Sequence, residues 1–474
     1  MTASPRAART RSHGAILRAV SALLAAASLV FIVGAAPAPA QDPAPTARFI
    51  ATELPDSPAG GQLGWLLDAS QRLPLSEDEL RAHFTPAFLA IPGVSPAQIN
   101  ATLGSVVGEG GLQLVGVVVS DHDAIVAVVT GRDGQELVVT VHVGGDGVIE
   151  NASIQLGMSG PAVTLPRGTG AAAVGTDVVE LVDRARDGRR LVLTRWYPAA
   201  DGARARPLAA YASPRLTTTL AVPPVRVHAR VDAPARPGRL PVVLFSPGFG
   251  TPRVLYQALA EDLASHGYLV VAVDHTGEAP MEFPDGQIQL PGAFGSDPIA
   301  AASATRLADM RLVLRRLDAM GPGPRADRGR IAAIGHSLGG STSAALMRVE
   351  PSVRAGVDMD GSIFGAPRRL GVPRPFLVMT SGGTDPTIRS MLKRSNGPRL
   401  ALAFTGLAHL SFSDLPAIAP AAVGARRPPS VRDIAVQRVY LRAFLDRYVR
   451  GRPARLLDGP SKRWPQVHFL YRRG

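Results

Sequence analysis

One pentapeptide offers a nucleophile. Gly335-His336-Ser337-Leu338-Gly339 is the only G-x-S-x-G in the chain, and alone such a pattern is weak. Its flanks make it specific. The apolar run RIAAI (330–334) leads straight into it and the helix-compatible GSTSAALMRV follows, which is the strand, tight turn and helix that a nucleophile elbow requires. Glycines at 335 and 339 keep side chains out of a turn where they would crowd the backbone, and the N-terminus of the next helix favours negative charge. A serine hydroxyl is a poor nucleophile at neutral pH and needs a histidine base oriented by an acid. An elbow of this kind is followed along the chain first by the acid and then by the histidine. His409 and His468 are the histidines that qualify. His409, in GLAHLSFSD after the strand-like LALAF, falls at the carboxyl edge of a sheet, where open α/β folds bind ligands, and we select it. Asp358, Asp360 and Asp385 all follow strands in the right interval. Alternation in AGVDMD puts Asp360 at a strand end and Asp385 follows the next strand, so spacing does not choose between them. Two amides would hold an oxyanion: that of Leu338, after the serine, and that of Phe249, in the loop Ser246-Pro247-Gly248-Phe249-Gly250. His275 precedes the serine and is out of order as a base; with His336 it is a candidate for lining the pocket, though a packed, hydrogen-bonded place fits His275 equally.

The elements that must position these residues alternate. VVELVD, RARDGR and RLVLTRWYP read as a β-hairpin. Strands are expected at 240–245, 268–273, 330–334, 355–359, 375–380 and 400–404, with helices at 255–265 and 305–320, which is a doubly wound, mostly parallel α/β sheet. A helix over 431–450 closes this domain. Its apolar stripe is Ile434, Leu441, Phe444, Leu445 and Tyr448, and Arg432, Arg438, Arg442, Arg447 and Arg450 fall largely off that stripe. These arginines read as a solvated basic face or as a weak attachment to an anionic membrane or envelope surface. Ser390-Met391-Leu392-Lys393 matches S-x-x-K, but the SDN and KTG partners of that set are missing and it carries no chemistry.

LFSPGFGTPRVLYQALAEDLASHGYLVVAVDH, GHSLGG, GVDMDGSIFG and GLAHLSFSDL occur in an order and spacing that resemble the platelet-activating-factor acetylhydrolase family of α/β-hydrolases. The resemblance covers roughly 176–450. It implies Ser337, Asp360 and His409 as the catalytic triad and the amides of Phe249 and Leu338 as oxyanion donors. Pro247-Gly248 replaces the family's usual His-Gly, so the resemblance implies ester hydrolysis but does not carry phospholipid specificity.

Ahead of this lies a smaller α+β domain. SEDELRAHFTPAFL opens with a Ser76/Glu79 capping pattern and aligns Leu80, Phe84 and Phe88, predicting one amphipathic helix over 76–89. Three or four β-rich runs follow, broken by Asp123, Gly131, Asp133-Gly134 and Gly144 to Gly147. Ser120-Asp121-His122-Asp123 reads as a hairpin turn rather than a metal or acid-base cluster. The stretch resembles the ketosteroid-isomerase-like domain found ahead of some secreted β-lactamase-like proteins, in pattern and not in catalytic motif. We expect a leader over 41–62, this domain at 63–157, a linker at 158–175 and the hydrolase at 176–474.

The 474 residues carry a net charge of +13, 46% hydrophobic and 19% charged residues, enough apolar material for packed cores. Just two of the 51 basic residues are lysine, and the positive excess sits in residues 1–40 and 425–474, with the body close to neutral. No aromatic-interleaved basic stripe runs through the body, so nucleic-acid binding is not expected. Arg6, Arg9, Arg11 and Arg18 precede an apolar run over 19–36 and then Ala38-Pro39-Ala40, the layout of a secretory signal cleaved after Ala40. The chain has no cysteine, which excludes thiol catalysis, thiolate metal sites and disulfides. No metal motif occurs and no cofactor is expected. The expectation is an exported serine hydrolase of small-molecule or lipid esters. An acyltransferase with the same triad and a non-catalytic binding protein on the same fold are the alternatives.

Overall fold

The computed structural model describes residues 48–157, 160–292, 297–425 and 430–474, so the signal expected over 1–40 and the first part of the leader lie outside the described residues. The chain divides into two units, Met1–Pro161 with Ser213–Pro224, and Ala162–Ala212 with Val225–Gly474.

The first unit contains an antiparallel meander of Gln113–Ser120 (β1), Ala124–Thr130 (β2), Glu136–Val143 (β3) and Ile149–Leu156 (β4), paired in chain order. Residues 121–123 form the β1–β2 turn. Helices Pro58–Ala69, Glu77–His83, Pro86–Leu89 and Pro96–Val106 each start at a Ser or Thr whose hydroxyl accepts an amide three residues on. Two expectations change here. The leader is helical from Pro58, because Ser57 caps it and Ala59 and Leu63 are buried. The single helix over 76–89 is two, because Pro86 lacks an amide and drives Thr85 to an extended ψ of 147°. Leu80, Phe84 and Phe88 are nevertheless all buried, with the two phenyl rings stacked at 5.3 Å.

The second unit is built on a 12-stranded sheet among the described residues. Its strands are Val163–Thr164 (β5), Val174–Asp183 (β6), Arg189–Pro198 (β7), Leu208–Ala210 (β8), Val225–Val231 (β9), Arg239–Ser246 (β10) and Leu269–Asp274 (β11). Met281–Glu282 (β12) and Ile288–Gln289 (β13) form a separate hairpin. Arg325–His336 (β14), Val353–Met359 (β15), Phe376–Thr380 (β16), Arg399–Phe404 (β17) and Val467–Arg473 (β18) complete the large sheet. The order is β18-β17-β16-β15-β14-β10-β11-β7-β6-β9-β5, with β8 on β9. Neighbours from β11 through β17 are parallel, and β6 and β7 form the expected antiparallel hairpin. Fully buried Val242, Leu244, Ile331, Ala333, Val357 and Val378 lie in these strands, as in a parallel sheet covered on both faces.

Part of the segment expected as a linker over 158–175 is strand, since β5 pairs with β9 and β6 begins at Val174. The closing helix is Val431–Tyr448. Its arginines are not a free basic face. Arg438 is buried on the carbonyls of Pro166, Arg167 and Ala258, Arg442 pairs with Asp262, Arg447 with Asp458 and Arg450 with Asp446, and Arg432 lies over the Trp464 ring.

Candidate active site

β14 delivers Ser337 to the central edge of the parallel sheet, and helix Leu338–Val349 starts at the next residue. The turn is as tight as the glycines predict. A Cβ on Gly335 would lie 2.2 Å from the Gly339 carbonyl, and one on Gly339 would lie 1.9 Å from Ser246 O. Ser337 itself adopts φ 55°, ψ −122°, a strained conformation costing about 1–3 kcal/mol that the surrounding structure must hold. Its amide donates to Met359 O at 2.8 Å, tying the elbow to the end of β15.

Asp360 follows β15 at once, also at positive φ (57°), which aspartate tolerates better than most residues. His409 Nδ1 donates to Asp360 Oδ2 at 2.9 Å. The Ser381 amide and the Thr380 hydroxyl donate to Oδ1 at 2.6 and 3.1 Å, and the Ser381 hydroxyl reaches Oδ2 at 3.0 Å. Burial would push Asp360 up, but the His409 hydrogen bond and charge, with the Ser381 amide, outweigh it and hold the carboxyl below its usual range. With Nδ1 committed to Asp360, Nε2 is the His409 nitrogen left to take a proton. His409 is about a quarter exposed and starts a short 3-10 turn after β17.

The other two acids are occupied differently. Asp385 caps helix Pro386–Arg394, accepting the Ile388 amide at 2.8 Å and the Thr387 hydroxyl at 2.6 Å. Asp358 is fully buried. One of its oxygens accepts the Gly361 amide at 3.0 Å and the other has no partner among the described residues. Burial, and then the Asp360 charge, pushes the Asp358 carboxyl well above its ordinary value.

His336 and His275, the candidates for lining a pocket, are both buried and both use both ring nitrogens. His336 Nδ1 accepts from Tyr256 Oη at 2.8 Å, and its Nε2 donates to His409 O at 3.0 Å. Burial, and next the neighbouring His409, lowers the His336 pKa and keeps the ring neutral, as these roles require. His336 thus ties the backbone of His409 to the elbow, with the two rings 4.6 Å apart. His275 lies between Ser246 Oγ and Asp309 Oδ2, each at 2.9 Å. Leu338 is the first residue of the elbow helix, and Phe249 lies in the loop after β10. Sequence reasoning missed Tyr256, which also accepts the Gly248 amide at 3.1 Å, and the Thr380-Ser381 cradle of Asp360. No sequence signal marks them, because the groups that make them part of the site, His336 for Tyr256 and Asp360 for the cradle, are distant in the chain.

Among the described residues no group of three or more His, Asp or Glu is arranged to hold a metal, and no helix is long and apolar enough to cross a membrane.

A family profile described as platelet-activating factor acetylhydrolase, isoform II, matches residues 196–281, and one described as serine aminopeptidase, S33, matches 239–391. A solved ferulic acid esterase from Streptomyces cinnamoneus is 36% identical with a TM-score of 0.60, over 65% of this chain and 100% of that one. The larger unit belongs to the α/β-hydrolase family. Within that family the chain is similar to a probable 1-alkyl-2-acetylglycerophosphocholine esterase of Arthroderma benhamiae, 29% identical over 49% of this chain and 66% of that protein. It is also similar to the platelet-activating factor acetylhydrolase of Cavia porcellus, 24% identical over 40% of this chain and 52% of that one. The hydrolase thus spans about half to two thirds of the length of the curated relatives it matches. Residues 54–149 match a profile described as ORF 12 gene product N-terminal.

Proposed function

We propose that this α/β-hydrolase is a serine hydrolase of carboxylic esters. Ser337 Oγ attacks the ester carbonyl while His409 Nε2 takes its proton, and Asp360 holds the imidazole tautomer and stabilises the imidazolium. The amides of Phe249 and Leu338 receive the oxyanion. Collapse expels the alcohol, protonated by His409, and water activated by the same histidine then hydrolyses the acyl-enzyme. The observation that carries the reading is the His409–Asp360 pair, tied through His336 to an elbow that holds Ser337 in strained geometry.

The relatives' named activities, on an acetyl ester and on ferulic acid esters, frame the substrate class as small-molecule or lipid carboxylic esters. We further propose export with cleavage after Ala40, on the strength of the arginines and apolar run before it, and a ketosteroid-isomerase-like fold for the first unit, on its four-stranded meander and packed helices. Residues 41–474 treated with a fluorophosphonate should carry the adduct on Ser337, and Ser337→Ala should abolish both labelling and turnover of acetyl and feruloyl esters. A folded sample that neither labels nor turns over either ester would overturn the reading.

A further inference from the structure

Helix Pro298–Arg316 carries an arginine on its buried face, where Ala302, Met310 and Val313 are apolar. Arg306 is 1% exposed. Its Nε donates to Glu278 Oε2 at 2.8 Å and its Nη2 pairs with the same carboxylate. The rest of the fork points at the loop after β10: Nη1 donates to Pro247 O at 2.7 Å and Nη2 to Gly248 O at 3.1 Å. Nη1 also stands 3.4 Å from Ser246 Oγ, the hydroxyl that His275 and Asp309 hold from behind. Thr251 Oγ1 gives Gly248 O a second donor at 2.9 Å, and the Gly248 amide goes to Tyr256 Oη.

We propose that Arg306, assisted by Thr251, is a positioning residue for the oxyanion hole, an inference that rests on the ester hydrolysis proposed above. A trans peptide is planar, with its C=O and the following N–H antiparallel. Fixing Gly248 O on the guanidinium therefore aims the Phe249 N–H the opposite way, away from Arg306. Oxyanion donors work because they are set before charge develops. A loop peptide that could rotate would lose that advantage, and a rigid fork satisfying two successive carbonyls prevents the rotation. Glu278 fixes the fork in turn. A lysine cannot replace it, because one ammonium does not span both carbonyls and the carboxylate in a fixed plane.

The test uses residues 41–474 with Arg306→Lys and, as a milder change outside the buried ion pair, Thr251→Val. Two readouts apply: kcat and KM on a p-nitrophenyl ester, and 13C NMR of a trifluoromethyl ketone labelled at its carbonyl carbon. Ser337 Oγ adds to that carbon, the carbonyl π bond breaks to give a hemiketal oxyanion, and the serine proton passes to His409. The expected result for Arg306→Lys is kcat lower by about 10²-fold with KM within about twofold, and a hemiketal that ionises at higher pH than in the parent. Thr251→Val should move both in the same direction by a few-fold. A hemiketal titration unmoved in both variants would overturn the inference and leave the esterase reading intact, whereas a parent protein that forms no hemiketal at Ser337 would overturn both.

Discussion

Asp360 and Asp385 stand after consecutive strands of the same sheet, yet their carboxylates meet different partners. Asp360 accepts from His409, Thr380 and Ser381, while Asp385 accepts from the first turn of its own helix and from the Ser362 hydroxyl. Asp360→Asn would present an amide to His409 and favour the wrong imidazole tautomer, so kcat should fall by roughly 10⁴-fold with the fold retained. Asp385→Asn keeps a capping oxygen and should leave kcat within a few-fold. Asp385→Ala should cost about 1 kcal/mol of stability in urea unfolding, again with kcat little changed. Comparable losses of kcat in Asp360→Asn and Asp385→Asn would reject Asp360 as the orienting acid. Residue types and order in the sequence brought the choice down to three aspartates. The hydrogen bonds that separate them run to Ser381, Thr387 and Gly361, and local spacing does not encode which carboxylate points at which neighbour.

Helix Gln257–Ser265 has no capping side chain of its own, since Tyr256 precedes it. Asp414, in the stretch after His409, supplies the cap. Its oxygens accept the Gln257 and Ala258 amides at 2.8 and 3.1 Å, and its own amide donates to Leu255 O at 2.7 Å. One carboxylate therefore fastens the stretch after His409 to the helix that follows the loop after β10. Burial pushes Asp414 up to about 7, against the two amides. A carboxyl raised in the folded state binds more protons there than when unfolded. Its contribution is therefore full below pH about 3.8 and is lost as pH rises through about 7. Asp414→Asn should remove that part of the slope when unfolding is followed in urea from pH 4 to 8. An unchanged slope would mean that Asp414 is ionised in the native protein throughout. Elements were more legible than such links. The expected strands 355–359 and 400–404 differ from β15 and β17 by at most two residues, because their apolar runs end in glycine or polar turns. β14 begins at Arg325, five residues before its apolar run, since its polar start is strand only through pairing with β10. The Asp414 cap and the Arg306 clamp join residues far apart in sequence, which no local pattern announces.

At the scale of the whole molecule, the first unit is completed by a segment that comes from within the hydrolase sequence. Ser213–Pro224 belongs to it, with helix Pro214–Thr219 started by the Ser213 cap and Leu216 buried at 2% exposure. Arg215 Nε donates to Val118 O in β1 at 3.1 Å. The sequence hid this, because a six-residue helix between two strands of the larger sheet reads as an ordinary connection. Its origin bears on how the chain unfolds. Cutting after residue 161 would separate the meander from its last helix, so the discontinuous unit is best probed by substitution. Leu216→Ala removes apolar contacts and leaves a cavity, a change of about 2–5 kcal/mol at a buried leucine. Trp65 lies in the first unit and Trp196 and Trp464 in the second, so calorimetry can be assigned by single-tryptophan fluorescence. The expected outcome is a lower transition reported by Trp65, with the transition reported by Trp196 and the esterase kcat unchanged. If both probes shift together, the two units unfold as one cooperative body, and the inserted segment couples them rather than merely completing the first.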